Sequence, residues 1–346
     1  MARPHDQGRP SIFLFGNSGH GSIALKKCIE SGERVIGVCS KLEPRTLSRR
    51  NFRKKAGAIA RLMGLSRTDD FLYRDPFEAT QTVASLARAH GIHLFSSREL
   101  HGLRLKNFIR SAQPDLILCC SFHRLIPLVL LEAARWRAVN LHPGLLPDRA
   151  GGTPNRWAVR LGDAQTGVTA HVMTERFDEG DVLLEHRVTL KENDTWGDVE
   201  GRVAPLVTKA TAEVIDALYG RYELTLRAQS GSVETMPSYG LNHSVIDWSG
   251  SPADVRRTCY AMRPKSGGMT TSCGRKICIW DLAASRDLQR GAPGNIVSID
   301  DSGRPIVATG AGNVVITKIL LRGRIRDAAN LTKGGPLSPG YILGGD

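Results

Sequence analysis

SIFLFGNSGHGSIALKKCIESGERVIGVCS, Ser11 to Ser40, reads as strand, glycine-containing turn, helix and second strand. Ile12 to Phe15 is an apolar run short enough for a strand covered on both faces, and Val35 to Cys39 supplies its neighbour. VASLARAHGIHLFSS and PDLILCCSF repeat the order of helix then strand. Strands joined in this rhythm form a parallel sheet with right-handed crossovers. The expectation is an α/β fold over residues 11–225: a Rossmann-like, mostly parallel sheet with helices on both faces.

Farther on, Thr195 is a good N-cap with Asp198 three residues on. Val199, Val203, Leu206, Val207, Val214 and Leu218 then mark a long amphipathic helix. The texture changes after it. Residues 226–243 read as a polar, Gly/Ser-containing linker, and residues 244–346 as a second domain of short alternating strands, GRKICIWDL, GNIVSIDDSGRPIVATG and NVVITKILL. Gly303 and Gly310 fall at turns between them, so this domain is expected to be a small antiparallel, OB-like β-barrel.

The bulk numbers fit two globular domains: 346 residues, 41% hydrophobic and 23% charged. No apolar run is long enough to cross a bilayer and MARPHDQGRPS lacks the apolar core of a signal peptide, so a cytoplasmic location with no membrane partner is expected. The seven cysteines include no C-x-x-C pair, which argues for reduced packing residues and no metal. The formal charge of +13 points to an anionic partner, a phosphate-bearing metabolite, a polyglutamylated cofactor or RNA. Eight basic residues and no acidic one lie in the insertion from Arg45 to Arg67; they read as a solvated basic face or as a clamp for an anion or nucleic acid.

Two segments bear on chemistry. GNSGHG, Gly16 to Gly21, stands where a dinucleotide site would have its phosphate loop. The second strand ends in Cys39-Ser40-Lys41 with no acidic residue to hold a ribose, so a structural or anion-binding turn is the better reading. NLHPGLLPDRAGGTPNRWAV, Asn140 to Val159, ends a short strand at the carboxyl edge of the sheet, where open α/β folds bind ligands. Alternation aims Asn140 and His142 to one side of that strand. Thr153-Pro154 is expected to cap and start the next helix, and the acidic turn holding Asp178, Glu179 and Asp181 can bring Asp181 back over the crevice. An amide, an imidazole and a carboxylate suit acyl transfer to an amine. The amide steadies an oxyanion, the imidazole handles the amine's proton and the carboxylate orients the ring. No Ser or Cys sits in a nucleophile elbow, which favours direct attack by the substrate over an acyl-enzyme.

SFHRLIP at 121–127, NLHPGLLP at 140–147 and TGVTAHVMTERFDEGDVLL at 166–184 resemble the folate-dependent formyltransferases that act on glycinamide ribonucleotide, methionyl-tRNA and amino sugars. VIDWSGSPADVRRTCYAMRPKSGG and the strands after it are similar to the C-terminal barrel of the methionyl-tRNA and some sugar enzymes. The resemblance implies transfer of a formyl group from N10-formyltetrahydrofolate to an amine, with Asn140, His142 and Asp181 at the catalytic positions. The folate-facing positions it implies are His123, Arg124, Leu125 and Ile126, then Gly144, Leu145, Leu146 and Pro147, then Phe177, Asp178, Glu179 and Gly180.

The resemblance leaves the amine open. DRAGGTPNRW departs from the loop usual in methionyl-tRNA enzymes, which favours a small, anionic amine such as an amino-sugar nucleotide or a hydroxylated amino acid. The net charge and the basic insertion favour the alternative, methionyl-tRNA. A hydrolase releasing formate from the folate is the third reading.

Overall fold

A computed structural model describes residues 9–17, 19–42, 81–231, 235–287 and 291–344. The Arg45–Arg67 insertion lies outside the described residues.

The first layer is a seven-stranded sheet of β1 (Ser11–Gly16), β2 (Arg34–Ser40), β3 (His93–Ser96), β4 (Leu116–Cys120), β5 (Arg137–His142), β6 (Gln165–Val172) and β7 (Val182–Thr189), in the order β3-β2-β1-β4-β5-β6-β7. Strands β1 to β5 pair in parallel, whereas β6 pairs antiparallel with both β5 and β7. All of β1 and β4 is buried, as their unbroken apolar runs require. Strand order reverses between β1 and β4, and the carboxyl ends of these two strands and β5 open the crevice that follows from that reversal. The backbones there nearly touch. A Cβ added at Gly21 would stand 2.7 Å from the Cys120 carbonyl, so the helix that starts at His20 needs glycine where it packs against the end of β4. Asn17 adds two ties, donating to Ser121 O at 3.0 Å and accepting from the Lys41 amide at 2.9 Å.

Helices α1 (His20–Glu30), α2 (Val83–Ala89), α3 (Leu103–Ala112), α4 (Leu128–Leu131) and α5 (Pro154–Leu161) connect the strands. The long α6 (Trp196–Leu218) starts where the capping box predicts, with Thr195 and Asp198 bonded reciprocally, and buries Val199, Val203, Val207, Val214 and Leu218. Thr153 behaves otherwise. It sits at φ 54° and makes no capping bond to α5, its hydroxyl instead accepting from the Tyr239 amide at 2.7 Å, so the chain beyond α6 takes the group a cap would have used.

Beyond the linker, α7 (Pro252–Tyr260) packs on a second, antiparallel sheet of β8 (Gly268–Ser272), β9 (Arg275–Ala284), β10 (Ile296–Ile299), β11 (Pro305–Thr309), β12 (Gly312–Leu321) and β13 (Arg324–Asp327). Pairing runs β10-β11-β12-β9-β8, with β13 on β12. The C-terminal segment completes the barrel. Leu343 N donates to Gly294 O beside β10, and Gly344 N donates to Thr271 O on β8. One apolar core, from Val203 and Val159 through Trp248 to Ile316, runs through both halves, and among the described residues no helix is long and apolar enough to span a membrane. Six of the seven cysteines are buried as expected of packing residues; Cys273 is exposed.

Candidate active site

The crevice at the carboxyl ends of β1, β4 and β5 is a cavity of about 770 Å³. Asn140 and His142 both line it, as strand alternation predicts, and antiparallel pairing with β6 places His171 opposite Asn140. The carboxylate that joins them is Asp178. Its Oδ1 lies 3.5 Å from His142 Nδ1 and 3.4 Å from His171 Nε2, and accepts from Asn140 Nδ2 at 3.3 Å. Its Oδ2 accepts from the Gly151 amide at 2.8 Å. Asp178 is only 6% exposed.

The expectation for Asp181 does not match this placement. Its side chain is exposed where the chain enters β7, and only its backbone is engaged, the carbonyl accepting from Val172 N at 2.9 Å. The physical reason is the backbone at Asp178, whose φ of 58° goes with that side chain turned inward, while the side chains of Glu179 and Asp181 are exposed.

Protonation follows from the partners. His142 Nε2 lies 2.7 Å from the Arg149 carbonyl, which can only accept, so the proton of the neutral ring sits on Nε2 and Nδ1 carries the lone pair facing Asp178. Burial holds the His142 pKa below its ordinary value, outweighing the opposing pull of the Asp178 charge. Burial alone would push Asp178 up. The neighbouring imidazole of His142 first, then that of His171 and the hydrogen bond from the Gly151 amide, reverse that and hold it well below the usual carboxylate range. A neutral imidazole thus faces an ionised carboxylate. His171 Nδ1 in turn lies 2.9 Å from the Val172 carbonyl, leaving its Nε2 to accept from Asn140 at 3.0 Å.

Of the remaining expected positions, His123, Arg124, Leu125, Ile126 and Phe177 line the cavity. Leu125 and Phe177 are exposed apolar surfaces at its edge, and Arg124 donates to Ser97 O at 2.5 Å. Gly144, Leu145, Leu146 and Pro147 stand behind the wall. Leu145 and Leu146 are core residues, and Thr169 Oγ1 clasps the loop by donating to Gly144 O and accepting from Leu146 N. Apolar side chains in that loop are drawn to the core, leaving Pro143 and the later glycines to face the cavity. Glu179 points outward to Arg176 at 3.4 Å. A Cβ at Gly180 would meet the Val172 carbonyl at 1.8 Å, so that glycine serves the turn and forms no part of the wall.

A second, half-buried pair lines the same cavity, from residues outside the SFHRLIP, NLHPGLLP and FDEGD motifs. His20, the first residue of α1, bonds Glu200 of α6 at 2.7 Å, and Glu200 also accepts from Trp196 Nε1 at 2.8 Å and Asn155 Nδ2 at 3.0 Å. Burial would lower the His20 pKa, but the Glu200 charge and hydrogen bond raise it above its ordinary value. The same partners overcome burial to hold Glu200 at about 2. Arg156 stacks over Trp196 at 3.9 Å from the ring centre, and Lys265, from the segment after α7, reaches the same ring at 5.6 Å. The available signal was positional: His20 follows the glycine turn at the switch point, where a side chain can face the crevice.

The chain is similar along its length to known formyltransferases. The methionyl-tRNA formyltransferase of Geobacter metallireducens is 28% identical over 336 residues, covering 96% of this chain and 98% of its own. That of Pelotomaculum thermopropionicum is 28% identical over 273 residues, 77% of this chain and 85% of its own. In fold, the chain resembles the Helicobacter canadensis N-formyltransferase, crystallised with folinic acid and dTDP-3-aminofucose, at a TM-score of 0.58 and 12% identity over 91% of this chain and 99% of that one. Residues 50–215 match the formyl transferase family and residues 242–335 match the formyl transferase C-terminal domain, so the cavity around Asn140, His142 and Asp178 is that of a chain belonging to the formyl transferase family.

Proposed function

We propose that the chain moves the formyl group of N10-formyltetrahydrofolate to the amine of a small, polar acceptor, with Asn140, His142 and Asp178 as its catalytic residues. The observation that carries the reading is the contact of His142 Nδ1 with Asp178, inside a cavity edged by Leu125, Phe177, His123 and Arg124. The flat apolar edges suit a pterin or benzoyl ring, and the cationic Arg124 suits a glutamate tail.

The amine nitrogen attacks the formyl carbon, its C=O electrons move to oxygen, and His142 Nδ1 takes the amine's proton. The resulting imidazolium is held between the Arg149 carbonyl and the Asp178 carboxylate, two groups that favour the charged ring. Collapse of the intermediate breaks the bond to N10, which receives the proton held by His142 and leaves as tetrahydrofolate, returning the ring to its neutral form. Asn140 can present an N–H to the oxyanion by releasing its longer contact, the 3.3 Å bond to Asp178, while keeping the 3.0 Å bond to His171.

The acceptor reading rests on His20, Glu200 and Lys265, which make part of the wall polar and charged. Burying such groups beside an apolar methionyl side chain would gain nothing, whereas hydroxyls, phosphates or a second amine would bond to them. The second reading, methionyl-tRNA, is favoured by the G. metallireducens enzyme, whose whole length the chain follows. The deciding experiment follows tetrahydrofolate release from N10-formyltetrahydrofolate with amino-sugar nucleotides, hydroxylated amino acids and initiator methionyl-tRNA. Turnover with a small amine and none with the tRNA supports the first reading, the opposite result the second, and formate release with no acceptor would identify a hydrolase.

A further inference from the structure

Between Thr225 and Gly231 every residue of the linker is exposed except Gln229. Its side-chain amide nitrogen donates to two carbonyls, those of Asp178 and Gly180, each at 2.7 Å. Just before it, Arg227 exchanges two backbone hydrogen bonds with Val182 at the start of β7, which aligns the linker along the acidic turn. Farther on, Met236 pairs with the glycine loop. Its N–H donates to Ala150 O and its carbonyl accepts from Gly152 N, both at 2.9 Å. A Cβ at Gly151 would stand 2.2 Å from the Met236 carbonyl, so the loop has glycine where the linker crosses it. The Gly151 amide is also the donor to Asp178 Oδ2. The linker therefore grips both loops that meet at Asp178.

Asp178 has the left-handed backbone, φ 58°, which is uncommon for a residue with a Cβ though better tolerated by Asp than by most, and which its carbonyl partners can hold in place. We infer that Gln229 is a positioning residue of the active site: its amide, bonded at once to the carbonyls of Asp178 and Gly180, imposes that conformation and so holds the Asp178 carboxylate against His142. The inference rests on the proposed role of Asp178 and extends it to a residue outside the cavity wall. It also gives the linker a task besides joining two domains.

The test is Gln229→Met in the full chain, which keeps the bulk and removes the donor, with Gln229→Asn as a second variant whose shorter amide cannot span both carbonyls. Turnover should fall about tenfold or more while the KM for the formyl donor stays within about twofold. In an Asp178→Asn background the same change should cost nothing further, because the residue acts only through that carboxylate. A readout independent of turnover is the NMR titration of the His142 ring without substrate. The charged and titratable groups facing it are Asp178, His171 on β6 and His20 on α1, with the Arg149 carbonyl on Nε2. Of these only Asp178 should move, so the His142 titration should shift to lower pH in both variants. Turnover within twofold of the parent, a loss that multiplies with that of Asp178→Asn, a loss that merely tracks the unfolded fraction, or an unmoved His142 titration would each overturn the inference. If the parent chain transfers no formyl group to any acceptor, the function reading fails while the titration still decides the role of Gln229.

Discussion

Asp178 Oδ1 and His142 Nδ1 stand 3.5 Å apart with a lone pair on each, because the ring's proton is committed to the Arg149 carbonyl. The contact becomes a hydrogen bond only when Nδ1 takes a proton. Such a pair stabilises the protonated state of the ring during transfer more than the resting one, which is the differential that lowers a barrier.

Replacing Asp178 with Asn should therefore reduce turnover by roughly 10²–10⁴-fold, the range over which oriented acid–base groups contribute. Asp181→Asn, a change at an exposed side chain, should stay within about threefold of the parent, as surface substitutions commonly do. Steady-state rates of the two variants, with folded content checked by circular dichroism, decide between the two carboxylates. A large loss in Asp181→Asn with an active Asp178→Asn would remove Asp178 from the chemistry.

The confusion of these two carboxylates shows what the sequence could carry. Apolar runs and strand alternation located the sheet, the crevice and the shared face of Asn140 and His142, because those follow from period and order. FDEGD holds three acidic residues within four positions, and the one that turns inward is chosen by a left-handed φ at Asp178 that no local pattern announces. His171 becomes visible only once β6 is known to pair with β5 in the register that sets it beside Asn140. Gln229 and Glu200 come from segments far from the motifs in sequence, so their arrival at the site is a property of the tertiary fold. Leu145 and Leu146 fall among the folate-facing positions that the resemblance implies because the motif is contiguous, whereas their apolar side chains sink into the core.

The pH dependence has a definite sign. The base form of His142 is the neutral ring, and burial sets its pKa below the ordinary value of 6.5. Turnover should be on a plateau at pH 7 and fall only as pH drops through that lowered value. A profile of kcat against pH from 5 to 8 is the measurement. An acid limb centred above 6.5 would show that a different group is being titrated.

His20 and Glu200 give a second pH signature, in stability. Glu200 has its folded pKa depressed from 4.5 to about 2, so its contribution is present above about 4.5 and is lost as pH falls toward 2. His20 is raised above 6.5, so its contribution is complete below 6.5 and fades as pH rises through the folded value. The pair thus stabilises most between about pH 4.5 and 6.5. Glu200→Gln should cost on the order of 1–3 kcal/mol in that window, the usual range for a lost charged hydrogen bond, and less on either side. Thermal unfolding across pH reads it; a penalty that does not vary with pH would mean the pair carries no net charge interaction.

The last prediction separates the acceptors and rests on the Arg45–Arg67 insertion, with its eight basic residues and no acidic one. A protein that grips RNA through several phosphates shows binding that weakens steeply with salt, with a log–log slope of about −0.7 to −0.9 for each phosphate contacted. A small phosphorylated amine engages one or two phosphates, so its slope is shallow. Phe52 is the only aromatic residue in that stretch, which leaves little surface on which unpaired acceptor-end bases could stack. Together with the charged His20–Glu200 wall, this predicts the shallow case for the true acceptor, and only weak, salt-sensitive binding of initiator methionyl-tRNA. Binding is measured from low to physiological salt for the parent and for a chain lacking residues 45–67. Micromolar or tighter tRNA binding that persists at physiological salt and disappears with the deletion would assign the insertion to RNA and reverse the preference for a small amine.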